Sequence, residues 1–559
     1  MADLLITNLF IIGRKILFVI FVLPAFLLFS GCNTKNTSDM IFTNANIYTI
    51  DSTFSIAECM VVDQGKIVAV GQEETILNAY TGQEIIDLEG KSVYPGFIDP
   101  HCHFLGYGQN LNQARLFGTQ SYTELLDVLK IFDKENQPDW IIGRGWDQND
   151  WPRKEFPRKK DLDEIFPDKP VFLTRIDGHA ALVNSEALRR AGITGEEIIK
   201  GGTIHLENGE PTGILIDNAI GLVEQIIPKP GRKELTEALL KSQDNCFAVG
   251  LTSVGDAGLN KDEILLIDSL HRSGELKMRI YAMLNPTEEN INHFVRNGIF
   301  ATPHLNVRSI KLFADGALGS RGALLLTPYA DDTDNKGLML HDTAYFEKYI
   351  EIANNAGYQV NIHCIGDGAN RMILNLFSKY LKEGNDKRWR IEHAQIVHPD
   401  DVSMFSKFRV VPSVQSTHAT SDMYWAAERL GDRIKYAYIY QTLLQATGWI
   451  PNGSDFPIED INPLYGFYAA VARKDQEGYP GNGFQPEEAL TREEALRAMT
   501  IWAARAAFEE DQKGSLEPGK MADFVVLEKD IMEVPENEIF SVKVLQTFSN
   551  GVRVFNSRK

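Results

Sequence analysis

Cysteine is scarce in this sequence. The 559 residues contain five: Cys32, Cys59, Cys102, Cys246 and Cys364. None belongs to a Cys-x-x-Cys pair or a dense cluster, which excludes a disulfide framework and a thiolate zinc site. Positive charge is also short. Against 76 Asp and Glu stand 56 Lys and Arg, giving a formal net charge of -20 and a pI near 5.1. That balance argues against a nucleic-acid partner and accounts for solubility. Beyond Phe29 no run is apolar enough to span a bilayer.

What is present at the start is a targeting pattern. Arg14 and Lys15 precede an apolar run from Ile16 to Phe29, and Ser30-Gly31-Cys32 follow. A basic segment, an apolar segment and small residues before a cut make an export signal. The small residues before a cysteine resemble a bacterial lipoprotein signal, which implies removal of residues 1–31 and lipidation of Cys32. Residues 32–39 then read as a polar tether. The alternative is an uncleaved anchor, for which the run is short against the ~20 residues a span needs. The expectation is an exported, membrane-anchored lipoprotein, periplasm-facing or in the cell envelope. It meets the membrane only through its N-terminal lipid anchor.

The remaining length, roughly 520 residues, calls for a large barrel with accessories. Residues 40–94 read as short strands punctuated by turns at Asp63-Gln64-Gly65 and Glu89-Gly90. Strand signals return after Gly514, and the Ser549-Asn550-Gly551 turn lies between two of them. We expect residues 40–94 and 505–559 to build one composite β-sandwich. Between them apolar runs alternate with helical stretches. The runs start at Phe97-Ile98 and continue at 251–254, 278–284, 309–313, 358–363, 389–393, 410–414 and 449–455. Eight strand–helix units predict an α/β fold, a (β/α)₈ TIM barrel over residues 95–504. About 110–245 reads as a subdomain inserted after barrel strand one, overhanging the active-site mouth.

Active residues of such barrels sit at the C-terminal strand ends. Strand one ends in His101-Cys102-His103, and strand alternation puts the two imidazoles on one face with Cys102 on the other. Two such imidazoles form a preset pair of metal ligands. Other strand ends supply Lys311, His363, His393 and Asp455. Each alone has a bland reading: a salt bridge for Lys311, a helix cap for Asp455.

Seven stretches carry a family likeness: PGFIDPHCHF, DGHAALVNS, IKLFADGALGSRGA, NIHCIGDGAN, RIEHAQ, WIPNGSDFP and SLEPGKMADFVVL. With them the chain resembles the amidohydrolase superfamily, in the YtcJ-like or amidohydrolase-3 branch that includes N-substituted formamide deformylase. The resemblance implies two zinc ions per chain. His101, His103 and Asp455 would hold one, His363 and His393 the other. Lys311, carboxylated on its amine, would bridge them as an anionic oxygen ligand. It also implies hydrolysis of a C–N bond in an amide-type small molecule, such as an N-acyl or N-formyl amine. Asp455 would take a proton from the attacking water and return it to the leaving amine.

Other residues are read from position. His179, in Asp177-Gly178-His179, is a substrate contact or a buried hydrogen-bonded histidine. Arg321 pairs with a substrate carboxylate or with a loop acid. His418, after strand seven, is a further substrate-binding candidate. Trp146, Trp151 and Tyr424-Trp425 line an apolar pocket or belong to the core. Competing readings are a deaminase of the same superfamily, disfavoured because no His-x-x-Glu follows strand five, and a lipid-anchored binding protein without catalysis. A homodimer is left open.

Overall fold

The computed structural model describes residues 35–557. Cys32 and the leader lie outside the described residues.

Both chain ends meet in one eight-stranded sheet. Its two long strands, Asn36–Tyr48 and Tyr80–Pro95, run parallel. Phe524–Leu527 pairs antiparallel with Ser92 to Pro95, and Val544–Ser549 and Val552–Asn556 extend that side. The sheet curls on itself instead of splitting into two separate layers. Phe42 lies edge-on to Phe524 at 4.9 Å and to Phe548 at 5.2 Å, although its strand is not adjacent to that of Phe548. The Ile67 N–H donates to Lys520 O (2.9 Å), drawing the far hairpin onto the C-terminal segment. A helix, Glu73–Ala79, interrupts what reads in the sequence as strands only.

The barrel has seven parallel strands: Phe97–Cys102, Leu251–Leu259, Arg279–Leu284, Leu305–Phe313, Gln359–Cys364, Arg390–His393 and Val411–Ser413. The eighth, expected at 449–455, does not form a ladder. One parallel bridge joins Val414 to Asn452, and the Asp455 N–H donates to His101 O (2.9 Å) while the His103 N–H donates to Phe456 O (2.7 Å). Pro451 has no N–H to give. A buried carboxylate takes over the seam: Asp99 accepts from the His101 N–H (3.1 Å), the Ser454 N–H (3.0 Å) and the Ser454 hydroxyl (2.6 Å). Gly453 is required there, since a Cβ would lie 2.4 Å from Asp99 Oδ1.

The barrel interior is polar where aliphatic layers are usual. Tyr281 donates to Gln359 Oε1 (2.8 Å). Arg390 donates from Nη2 to Pro100 O (2.9 Å) and from Nε to Glu392 Oε1 (2.6 Å). These groups are buried and, apart from Arg390 Nη1, hydrogen-bonded, and they form a floor beneath the strand ends.

Between the first and second barrel strands lies a six-stranded sheet spanning Ala114 to Asp217, with apolar clusters of its own. It is held over the barrel by cross-contacts. Arg429 donates to Asn149 Oδ1 (2.9 Å), and Asn218 Nδ2 donates to Leu340 O (3.0 Å).

Candidate metal centre and the cavity above it

A cavity of about 1370 Å³ opens at the C-terminal strand ends. Its floor contains His101, His103, Lys311, His363, His393 and Asp455, and its walls include residues of the inserted sheet.

Strand alternation delivers His101 and His103 into the cavity and turns Cys102 into the apolar core. Cys364, beside His363, is turned into the core in the same way. Alternation fails at two positions. His393 and Asp455 have φ of 73° and 60°, a left-handed backbone that non-glycine residues rarely adopt. At these strand ends the twist swings both side chains toward the other histidines.

Three imidazoles have their Nδ1 atoms committed elsewhere. His101 Nδ1 is 2.7 Å from Glu392 Oε2, His103 Nδ1 is 3.0 Å from Ala257 O, and His393 Nδ1 is 2.7 Å from Gln415 Oε1. Each of these partners accepts, so Nδ1 carries the proton and Nε2 presents a lone pair. The Nε2 atoms of His101 and His103 lie 3.4 and 3.2 Å from Asp455 Oδ1. Lys311 Nζ is 3.1 Å from His101 Nε2. The rings of His363 and His393 are 4.5 Å apart, centre to centre.

Charge states follow the surroundings. Burial drives His363 and His393 well below the usual histidine range, so both are neutral. For His101, burial and Lys311 pull downward, but the Glu392 and Asp455 carboxylates prevail and raise it. Glu392 holds the Nδ1 proton in either charge state, so a metal would have to displace only the Nε2 proton that faces Asp455. Burial lowers the Lys311 ammonium to about 8. Burial alone would raise Asp455, yet its contacts with His101 and His103 hold it well below the carboxylate range.

The donor set fits a divalent metal. Ligand atoms of His101, His393 and Asp455 lie within 4.8 Å of one another. Asp455 Oδ1, His363 Nε2 and His418 Nε2 are buried without a hydrogen-bond partner. Orphaned buried polar atoms are costly, and neutral imidazole with carboxylate is a nitrogen–oxygen set suited to zinc and its neighbours.

The remaining candidates divide. His179 lines the cavity, its ring 4.9 Å from that of His363, and its Nδ1 is 2.6 Å from Asp217 Oδ1. His418 lines it too, stacked 5.7 Å from His393 and lowered to about 4 by burial. Arg321 does not line the cavity. Its Nη2 pairs with Asp331 Oδ2 at 2.8 Å, and Asp331 also pairs with Arg429, so the loop acid takes the place of a substrate carboxylate. Trp151, Tyr424 and Trp425 line the cavity, whereas Trp146 is fully buried in the core of the inserted sheet. Sequence reasoning passed over Glu392, Gln415 and Arg144. Glu392 was within reach of it: in Arg390-Ile391-Glu392, alternation puts a buried acid and base on one face.

The model of the Amidohydrolase family matches residues 84–555. The putative amidohydrolase YtcJ of Bacillus subtilis is 31% identical over 523 residues, spanning 91% of this chain and 98% of the relative. An N-substituted formamide deformylase of Arthrobacter pascens is 27% identical over 553 residues, spanning 92% and 98%. Among solved structures, an uncharacterized metal-dependent hydrolase from Pyrococcus horikoshii matches with a TM-score of 0.74 at 29% identity, over 89% of this chain and 99% of that one. With the family model covering most of its length, the chain belongs to the amidohydrolase family, in its YtcJ-like branch.

Proposed function

We propose that the protein is a metal-dependent hydrolase that cleaves an amide-type C–N bond in a small molecule. One observation carries this reading. Imidazole Nε2 lone pairs, with their Nδ1 protons committed elsewhere, converge on the unpartnered carboxylate oxygen of Asp455. Relatives named amidohydrolase, formamide deformylase and metal-dependent hydrolase support it.

His101, His103 and Asp455 would hold one zinc ion and His363 and His393 a second, with Lys311 between them. When bound, such metals lower the pKa of a water and polarise a carbonyl oxygen as Lewis acids. Lys311 suits a bridging role only as a carbamate, because an ammonium repels cations. Carbamate forms from the neutral amine, and the lowered Lys311 pKa of about 8 leaves a useful neutral fraction near pH 7. Asp455 is ionised and its backbone places Oδ1 between the two strand-one histidines. It takes one proton as water adds to the carbonyl carbon. It then gives that proton to the nitrogen as the C–N bond breaks.

The deaminase reading gains nothing from strand five. Asp367 Oδ1 is occupied by the Leu326 N–H at 2.9 Å. Export and lipidation at Cys32 complete the proposal.

The test is a metal-loaded preparation assayed on N-formyl and N-acyl amines beside adenine- and cytosine-like bases, with elemental analysis of the same sample. About two divalent ions and amine release support the reading. Turnover by a metal-free protein defeats it.

A further inference from the structure

The cavity walls hold two arginines from the inserted sheet, Arg175 fully buried and Arg144 partly buried, and they are in different situations. Arg175 is fully committed: its guanidinium pairs with Asp147 and Asp177, and its Nε donates to Gln148 Oε1 (2.8 Å). Arg144 makes no ion pair among the described residues. Its Nη2 donates to Ile176 O (3.0 Å), and its Nε is buried without any partner. Asp455, Asp177 and Glu224 act on its charge, but none reaches ion-pair contact, and Asp177 is already taken by Arg175. A buried donor such as this Nε is costly unless an acceptor satisfies it.

Its position is built. Arg144 lies in the strand Ile141–Trp146, between Gly143 and Gly145. At Gly145 (φ 107°) a Cβ would come 2.4 Å from the Phe117 ring, so only glycine fits. A register shift follows between Arg144 and Trp146. Across from it, Gly178 (φ 76°) lies against the guanidinium, where an added Cβ would stand in ordinary contact 3.5 Å from Nη2. Gly178 directly precedes His179, which packs on His363. The guanidinium, without an ion pair among the described residues, thus lines the same cavity as the metal centre, beside the loop that reaches its histidines.

We infer that Arg144 anchors an anionic group of the substrate, so that the preferred substrates are N-acyl or N-formyl amines bearing a carboxylate, such as N-acylated amino acids. This rests on the hydrolase reading above. A planar guanidinium suits a carboxylate in a bidentate pair, and the paired Arg175 beside it cannot compete for the same group.

The experiment compares N-formyl amino acids with their carboxamides, which differ only in that charge. Formate release is measured with the metal-loaded wild type, Arg144→Gln and Arg144→Lys. Calorimetric binding of both compounds is measured with Asp455→Asn and with Asp455→Asn/Arg144→Gln. The wild type should prefer the acid. Arg144→Gln should lose ~10²-fold in kcat/KM for the acid, mainly through KM, the scale of a charge-assisted bidentate contact. The carboxamide should change less than about threefold on the same principle, and Arg144→Lys should fall between. Equal losses on both compounds, or no preference in the wild type, overturn the anchor while leaving hydrolysis intact. Carboxylate-dependent binding that vanishes with Arg144→Gln, without formate from any variant, keeps the anchor and defeats the hydrolase reading. If neither compound binds or reacts, the anchor is overturned as well.

Discussion

Glu392→Gln is the sharpest probe of how the centre is held. Glu392 is fully buried and uses its two oxygens differently: Oε2 faces His101 Nδ1 at 2.7 Å, and Oε1 accepts from Arg390 Nε at 2.6 Å. Glutamine has the same shape but one oxygen and one NH₂. Its NH₂ must face either Arg390 or His101, and both are donors there. If it faces His101, the Nδ1 proton is displaced and the lone pair no longer points at the centre. If it faces Arg390, a buried guanidinium loses its counter-charge. Breaking a buried pair by removing one partner costs ~3–5 kcal/mol. Solvent does not screen this pair, because both side chains are 0% exposed. Removing a partner that orients a metal-bound histidine typically costs ~10–100-fold in metal affinity, or ~1.4–2.7 kcal/mol. Urea unfolding with metal present, and zinc titration against a competing chelator, read the two effects separately. A variant that keeps wild-type zinc affinity would refute the orienting role of Glu392, whatever its stability.

Four further outcomes are expected. Asp455→Asn should lower kcat by ~10²–10⁴-fold with metal retained; normal kcat at normal metal content would pass the proton role to another group, His179 or His418 first. Lys311→Ala should lose metal and recover part of it with formate or acetate, whereas full metal and full rate would rule out a bridge. Arg321→Ala should alter kcat/KM less than about twofold and stability by no more than ~1 kcal/mol, since its partner Asp331 is partly exposed; a large KM effect would return Arg321 to the substrate. Cys32→Ser should abolish acylation of the mature N-terminus, and mass spectrometry finding an intact Met1 without acyl mass in the wild type would mean an uncleaved anchor instead.

Local regularities in the sequence determined a good deal. The period of two along a strand made His101 and His103 partners and sent Cys102 to the core, because side-chain alternation belongs to the backbone itself. The recurrence of apolar runs separated by helical stretches was enough to show a barrel, since each run must be buried on both faces. Where the backbone departs from regularity, the tertiary structure decided. His393 and Asp455 reach the centre through left-handed φ values, and the expected eighth strand gave way to hydrogen bonds accepted by Asp99. Partnerships between distant charges were also invisible in the chain. Glu392 meets His101 across 291 positions. Arg321, ten residues from Lys311 in sequence, is spent on Asp331, while Arg144 from the inserted sheet lines the cavity. Periodicity is a short-range property that one strand can express, whereas the pairing of a buried charge depends on every element that packs around it.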